Sequence, residues 1–343
     1  MRAFVLRRTA QAVFVIFLSQ ALTFFTLFVL PGDPIYNKLH SPINPLPKSA
    51  VGPLLDYYHF NDSPFEQYLL SLRRIVTGDL GYSLQTGHPV SELLGHAIPQ
   101  TLTLALLGLS VAFLLALAVA LTAVFAPSAG LRNLARLLPG LFLSTPSFVL
   151  GFLLLQVFSF QLGWFSASEA QGLRSYVLPA VTLGIGVAGP ISQVLITGLG
   201  KAAGEPFVTV LRAKGVRPVS ITGRHILKNG SIPTLTLLAL TVGDLLAGAV
   251  VVETVFNMTG VGMITQQSVR DQDTPVVMAV VVLVSTIYVV VNLVTDLLYP
   301  VIDRRISITP ERSTGRWRLR ETVLAHRVAR KLARKVARKV AAA

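Results

Sequence analysis

The sequence predicts an all-α polytopic membrane protein with six transmembrane helices. Three observations carry that expectation. The 343 residues have a mean hydropathy of +0.63. Only 13% are charged, against roughly 25% in soluble domains. Charge-free windows recur at 9–30, 97–131, 137–168, 175–200 and 274–295, and a further one at 229–252 is interrupted only by Asp244. About 20 apolar residues cross a bilayer as a helix. The predicted spans are therefore 9–30, 100–125, 138–162, 177–199, 232–256 and 276–299.

The first window could be taken for a signal peptide. A signal core is shorter, about 7–15 residues, and ends in small residues. This run is 22 residues long and ends in Leu30-Pro31-Gly32-Asp33-Pro34, so a retained helix is expected. Basic residues orient the spans. Arg2, Arg7 and Arg8 precede the first, and Arg132 and Arg136 lie in the 126–136 turn. Lys201, Arg212, Lys214, Arg217, Arg224 and Lys228 oppose only Glu205 in 201–230, and thirteen basic residues follow Asp303. Six spans put all of these on one side, the cytoplasmic one, with both termini. The opposite short loops are balanced: Glu169 with Arg174, and Arg270 with Asp271 and Asp273. The net charge of +14 thus reads as membrane topology rather than nucleic-acid binding. The absence of cysteine excludes disulfides and thiol chemistry. Pro139, Pro146, Pro179, Pro190, Gly184, Gly186, Gly189 and Gly243 fall inside spans. They suit bundle packing, and kinked helices also suit a transporter that rearranges.

Catalytic signatures are missing. Gly198-Leu199-Gly200-Lys201-Ala202 lacks the spacing and hydroxyl of a P-loop. There is no HExxH or GxSxG pattern, and the spans hold no His or Lys. His40, His59, His88 and His96 are scattered over the 31–97 loop without metal-ligand spacing, so no metal site is expected. Asp244 reads as the one acid deep in a span. A mid-membrane Asp costs roughly 2.5–3.5 kcal/mol on insertion scales. Two readings stay open for it: a residue lining a transport path, or a hydrogen bond to a neighbouring helix or subunit. Asn292 and Asp296 read as interface anchors near Arg304 and Arg305.

The stretch FVTVLRAKGVRPVSITGRHILKNGSIP, residues 207–233, is polar, basic and punctuated. Its periodicity predicts a short helix over Phe207–Leu211 that Gly215 ends. Val216-Arg217-Pro218 restarts the chain and 219–228 forms a second short helix. Exposed Phe207, Val208 and Leu211 among basic residues point to a docking surface for a cytoplasmic protein.

At these residues the chain resembles the B-type permeases of dipeptide, oligopeptide and nickel ABC importers. Ala213-Lys214-Gly215, with Pro233 eighteen residues on, is similar to the Glu-Ala-Ala loop of binding-protein-dependent permeases. The match continues in order through LPGDP at 30–34, QYL at 67–69, GDLGYS at 78–83, PV at 89–90 and PQTL at 99–102. TPSFVLGFLL from 145, LGW from 162, LPAVTLG at 178–184, GAVVVETVFNMTGVG at 248–262 and NLVTDLLYPVIDRRI at 292–306 complete it. Val210-Leu211-Arg212 departs from the family's usual residues before Ala213.

The resemblance implies the type I ABC importer permease architecture and a chain without catalysis of its own. A second permease would complete a heterodimeric pathway. Two cytoplasmic ATPases, holding ATP and Mg²⁺, would dock on Phe207, Val208, Leu211, Arg212, Ala213, Lys214, Gly215 and Val216. An external binding protein would deliver peptides; nickel, glutathione or glycosides are same-family alternatives. The bacterial inner membrane is the implied location. The external motif Gly78, Asp79, Leu80 and Gly81 would belong to the substrate entrance. A self-sufficient secondary transporter is the rival class; it needs a coupling-ion site and usually internal repeats, and neither is visible.

The chain divides into 1–30, the loop 31–98, a permease core 99–306 holding the coupling loop 201–230, and a tail 307–343. Leu324, Val328, Leu332, Val336 and Val340 recur every four residues amid Arg and Lys. The tail is expected to form a basic amphipathic helix on anionic lipid, with a mobile tail or an added ATPase contact as alternatives.

Overall fold

The computed structural model describes residues 2–28, 56–58, 62–165 and 172–302. The 30–34 motif, His40, His59, Glu169, Arg304, Arg305 and the 307–343 tail lie outside the described residues. Within them the chain is helical, with one isolated bridge between Tyr82 and Pro89.

Helix α1 is Arg2–Phe28. Helix α2, Pro64–Thr77, lies in the segment read as a long loop from the sequence. It has a full capping box, Ser63 with Glu66, and Pro64 in its first turn. The Ser63 bonds hold the Glu66 carboxyl below its usual range. Helix α3 is Val90–Phe125 and starts ten residues ahead of the predicted span. Its 36 residues exceed a hydrocarbon core of about 30 Å at 1.5 Å per residue, so it projects beyond the bilayer.

The predicted third span is broken. Helices α4, Ala129–Ser144, and α5, Ser147–Leu154, meet at 101°. Thr145 between them is extended (φ −95°, ψ 114°), because the ring of Pro146 disfavours helical backbone at the residue before it. A π-helical turn, Leu155–Gln161, continues α5. Helix α6 is Val177–Ala203, preceded by the 3-10 turn Gly172–Tyr176. Helix α7 is Pro206–Ala213. Pro218–Ser220, the π-helical turn Ile221–Ile226 and Leu227–Gly230 together make α8. Helices α9, Ile232–Val255, α10, Val261–Arg270, and α11, Thr274–Ile302, complete the order. Among the described residues five helices are long and apolar enough to cross a membrane, and the bent α4–α5 pair makes a sixth only if its two halves count as one span.

The core is built on α3, α6 and α9. Leu104, Ala112 and Ala116 of α3 meet Leu183, Ala188 and Ile191 of α6 and Leu245, Ala249 and Val252 of α9, all buried. Small residues let these backbones approach, as membrane helices need in the absence of a hydrophobic drive between them. A Cβ on Gly184 would come within 2.7 Å of Val111 and 2.9 Å of the Gly108 carbonyl. The tightest crossing is at the 204–231 end of the bundle, where a Cβ on Gly198 of α6 would lie 2.0 Å from the carbonyl oxygen of Gly230 in α8. At the other end of α1, Phe24 packs on Tyr68 of α2 and Met278 of α11.

Gly198→Ala should therefore destabilise the protein by about 1–3 kcal/mol, the range for overpacking. Gly200→Ala, which meets nothing within 4 Å, should leave stability near the parent's. Thermal midpoints of the two purified variants check this.

Candidate functional site

The turn between α6 and α9 is an ordered helix–turn–helix. Pro206 opens α7 behind extended Glu205. At the other end of α7 the Val216 amide donates to the Leu211 carbonyl (3.1 Å) and the Gly215 amide to Arg212 (3.0 Å). That closure needs left-handed backbone, and Gly215 has φ +74°. Arg217 is extended (φ −57°, ψ 137°) ahead of Pro218. The helix–turn–helix and the Gly215 stop are thus as expected.

The faces of α7 are not as expected. Val208 is buried, and Phe207, Leu211 and Val216 pack beside it on Ala120, Leu195, Leu199, Ala202, Ile221 and Ile226. These side chains anchor the segment to the protein's own bundle, with Val208 fully buried and Phe207, Leu211 and Val216 partly exposed. A 3.6-residue period explains it: 207, 208 and 211 share one face, leaving the other to 209, 210 and 213. The outward surface holds Thr209, Val210, Arg212, Ala213, Lys214, Gly215, Arg217, Pro218 and Val219, with Val219 85% exposed. It is an apolar ledge rimmed by three cations.

Two buried carboxylates organise the opposite end, and neither was singled out from the sequence. Glu253, near the end of α9, is 1% exposed. Thr101 Oγ1 of α3 donates to its Oε1 (2.6 Å), and the Met263 amide of α10 donates to its Oε2 (3.1 Å). The Val261 amide donates in turn to Thr101 Oγ1 (2.8 Å). A carboxylate suits the positive end of a helix. Cβ atoms on Gly260 and Gly262 would approach its oxygens to 2.3 and 2.8 Å, so glycine is required at both. Asp244 is accordingly not the one acid inside a span. The signal was present in the sequence, as a Glu seven residues before a Gly-Val-Gly.

Asp273 is 2% exposed at the other end of α10. It accepts from the Leu84 amide (3.0 Å), the Gln85 amide (3.2 Å) and the Ser83 hydroxyl. An Asp just before Thr274-Pro275 reads as a helix cap, yet its side chain is used on a segment 190 residues away.

The motif Gly78, Asp79, Leu80 and Gly81 builds the turn that delivers residues 82–89. Gly78 and Gly81 both have φ +80°. Asp79 Oδ1 accepts from the Gly81 amide (3.0 Å), and its Oδ2 accepts from the Tyr57 hydroxyl (2.7 Å). Burial, then the bond to Asp79, push the Tyr57 phenol up to about 12, so it remains a donor at neutral pH. The Arg74 guanidinium stacks 3.8 Å over the Tyr57 ring. Leu80 packs against the cluster of Val90, Leu94, Val261 and Val276. These residues join helix to helix, and Asp244 is brought to neither end. It is exposed midway along α9.

Among the described residues no group of three or more His, Asp or Glu side chains could hold a metal ion. Residues 112–308 match the family model for the binding-protein-dependent transport system inner membrane component. The chain belongs to this family. Like other ABC importer permeases it is a non-catalytic, multi-pass membrane subunit. It is 31% identical over 304 residues to the glutathione transport system permease protein GsiC of Escherichia coli O6:H1, covering 88% of this chain and 98% of that protein. The Salmonella typhimurium GsiC is 32% identical over the same share. The fold is also that of the MetNI methionine ABC transporter, at a TM-score of 0.53 and 18% identity, over 62% of this chain and 96% of that one.

Thr101→Val would strip one bond from Glu253 and one from the Val261 amide. It should cost about 1–3 kcal/mol and release the start of α10, read as faster amide exchange at 261–263. Thr103→Val, whose hydroxyl bonds only to Pro99 of its own helix, should do neither.

Proposed function

We propose that this permease pairs with a second permease subunit to import a short peptide-like solute, supplied by an external binding protein and driven by two cytoplasmic ATPases. The observation that carries the substrate class is similarity to the glutathione permeases over 98% of their length. Glutathione is itself a γ-linked tripeptide, so peptide and glutathione share one chemical class. Nickel and glycosides are less favoured, because the relatives named above belong to glutathione transport systems.

In this reading the 204–231 end is cytoplasmic, as its basic residues require. The ATPases meet Thr209, Val210, Arg212, Ala213, Lys214 and Val219. Phe207, Val208 and Leu211 hold the segment to α3 and α6, and the Gly198–Gly230 crossing ties it to α6 and α9. Closure of the ATPases would then turn the core helices with the segment as one body. The opposite end, with α10 and residues 78–89 braced by Glu253 and Asp273, faces the binding protein. ATP and Mg²⁺ belong to the partner subunits.

The reading is tested by reconstituting the complex with its binding protein and measuring uptake of glutathione, a tripeptide, nickel and a glycoside. ATP-dependent uptake of glutathione or the tripeptide is expected; uptake of nickel or the glycoside alone would overturn it. A second measurement addresses the coupling segment. A Cβ at Gly215 meets nothing within 4 Å, so Gly215→Val strains only the left-handed backbone, by roughly 1–2 kcal/mol. Gly215→Val should assemble, yet its ATP hydrolysis should no longer rise when loaded binding protein is added. Gly215→Asn, which tolerates that backbone, should retain most of the response.

A further inference from the structure

Asp244 lies twelve residues from the start of α9 and eleven from its end. At 1.5 Å per residue that is about 18 Å from one end and about 17 Å from the other, the middle of a hydrocarbon layer about 30 Å thick. One side of α9 is packed away: Thr234, Thr241, Leu245, Ala249 and Val252 are buried. Close approaches hold the helix at two glycines. A Cβ on Gly243 would come within 3.0 Å of Tyr288 in α11, and one on Gly248 within 2.9 Å of Leu183 in α6. Among the described side chains of α9, what remains open is a stripe, Pro233, Leu240, Asp244, Ala247 and Val251.

Asp244 is the acid on that stripe, and it has no hydrogen bond or ion pair among the described residues. Lipid cannot cover a carboxylate at this depth. The stripe therefore faces a polar counterpart at mid-membrane. On the same stripe, one turn along, Ala247 is exposed, and its small side chain leaves room for a group from elsewhere to reach the carboxylate.

We infer that Asp244 is a mid-membrane binding site for the protonated amino group of the transported solute. The inference rests on the peptide-like substrate proposed above and adds the chemistry that recognises it. Simple peptides carry an α-amino group whose pKa is about 7.7–8.0, and that of glutathione, beside its free α-carboxylate, is more basic; both are cationic at neutral pH. A charge-assisted bond to a desolvated carboxylate is the strong kind. The ammonium gains a partner as it leaves water, and the carboxylate gains the counter-ion that the described residues do not supply.

The test uses the assembled complex with its binding protein in proteoliposomes. Uptake of a free-amino tripeptide is compared with that of its N-acetyl form, and glutathione with N-acetylglutathione. The binding protein is the same throughout, so any change in preference between permease variants belongs to the permease. Asp244→Asn should reduce the preference for the free-amino form by about tenfold, and Asp244→Glu should restore it. An unchanged preference in an active Asp244→Asn complex overturns the site and leaves the substrate reading standing. So does failure of Asp244→Asn to assemble with the second permease, which would assign the carboxylate to that interface. Uptake of neither peptide by the parent complex would instead defeat the substrate reading, and this site with it.

Discussion

Everything between α6 and α9 hangs on one contact between two residues that have no side chains. Gly198 and Gly230 bring backbone against backbone, so near that a single Cβ would come within 2.0 Å of a carbonyl oxygen. No side chain intervenes that could change rotamer and absorb a displacement. Close-packed contacts of this kind transmit force because they do not compress. The second attachment is the apolar patch under α7, where Val208, Ile221 and Ile226 are buried. With both in place, the basic outer surface of 209–219 is held to the core, and in the proposed function the two would act as arms of one lever.

The opposite end is fixed by charge rather than by shape. Glu253 and Asp273 bracket α10, and each is satisfied by amide donors and by a hydroxyl from a distant part of the chain. Burying carboxylates is unfavourable unless donors meet them. Once met, they tie α3, α9, α10 and the 82–89 segment into one unit. The two ends thus differ in kind: close steric packing at the end proposed to meet the ATPases, a hydrogen-bonded brace at the end proposed to meet the solute. Asp244 sits between them with neither sort of support.

Much of this was legible in the sequence. Five windows became single apolar helices, because about 20 uncharged residues have few alternatives in a bilayer. The stop at Gly215 was legible because few residues besides glycine take that backbone readily. The 101° break after Thr145 was not, since a proline in an apolar run reads as a kink within one helix, and its angle depends on what each half packs against. The inward face of α7 was misread for a related reason. Apolar residues among cations signal a contact, but eight residues do not say whether the contact is internal. Glu253 was missed because the Gly-Val-Gly after it went unread and its hydroxyl partner, Thr101, lies 152 residues away, a range that leaves no periodic trace.

The central claim is that the docking segment and the core helices move together. The chain has no cysteine, so two introduced ones can be labelled without interference. Val210, exposed on α7, and Gln193, exposed on α6, are suitable sites. Electron–electron double resonance between spin labels there, in the assembled complex, gives their distance without nucleotide and with ATP trapped. The account predicts the same distance in both states. A distance that changes with nucleotide would mean that α7 slides on α6, and would contradict it.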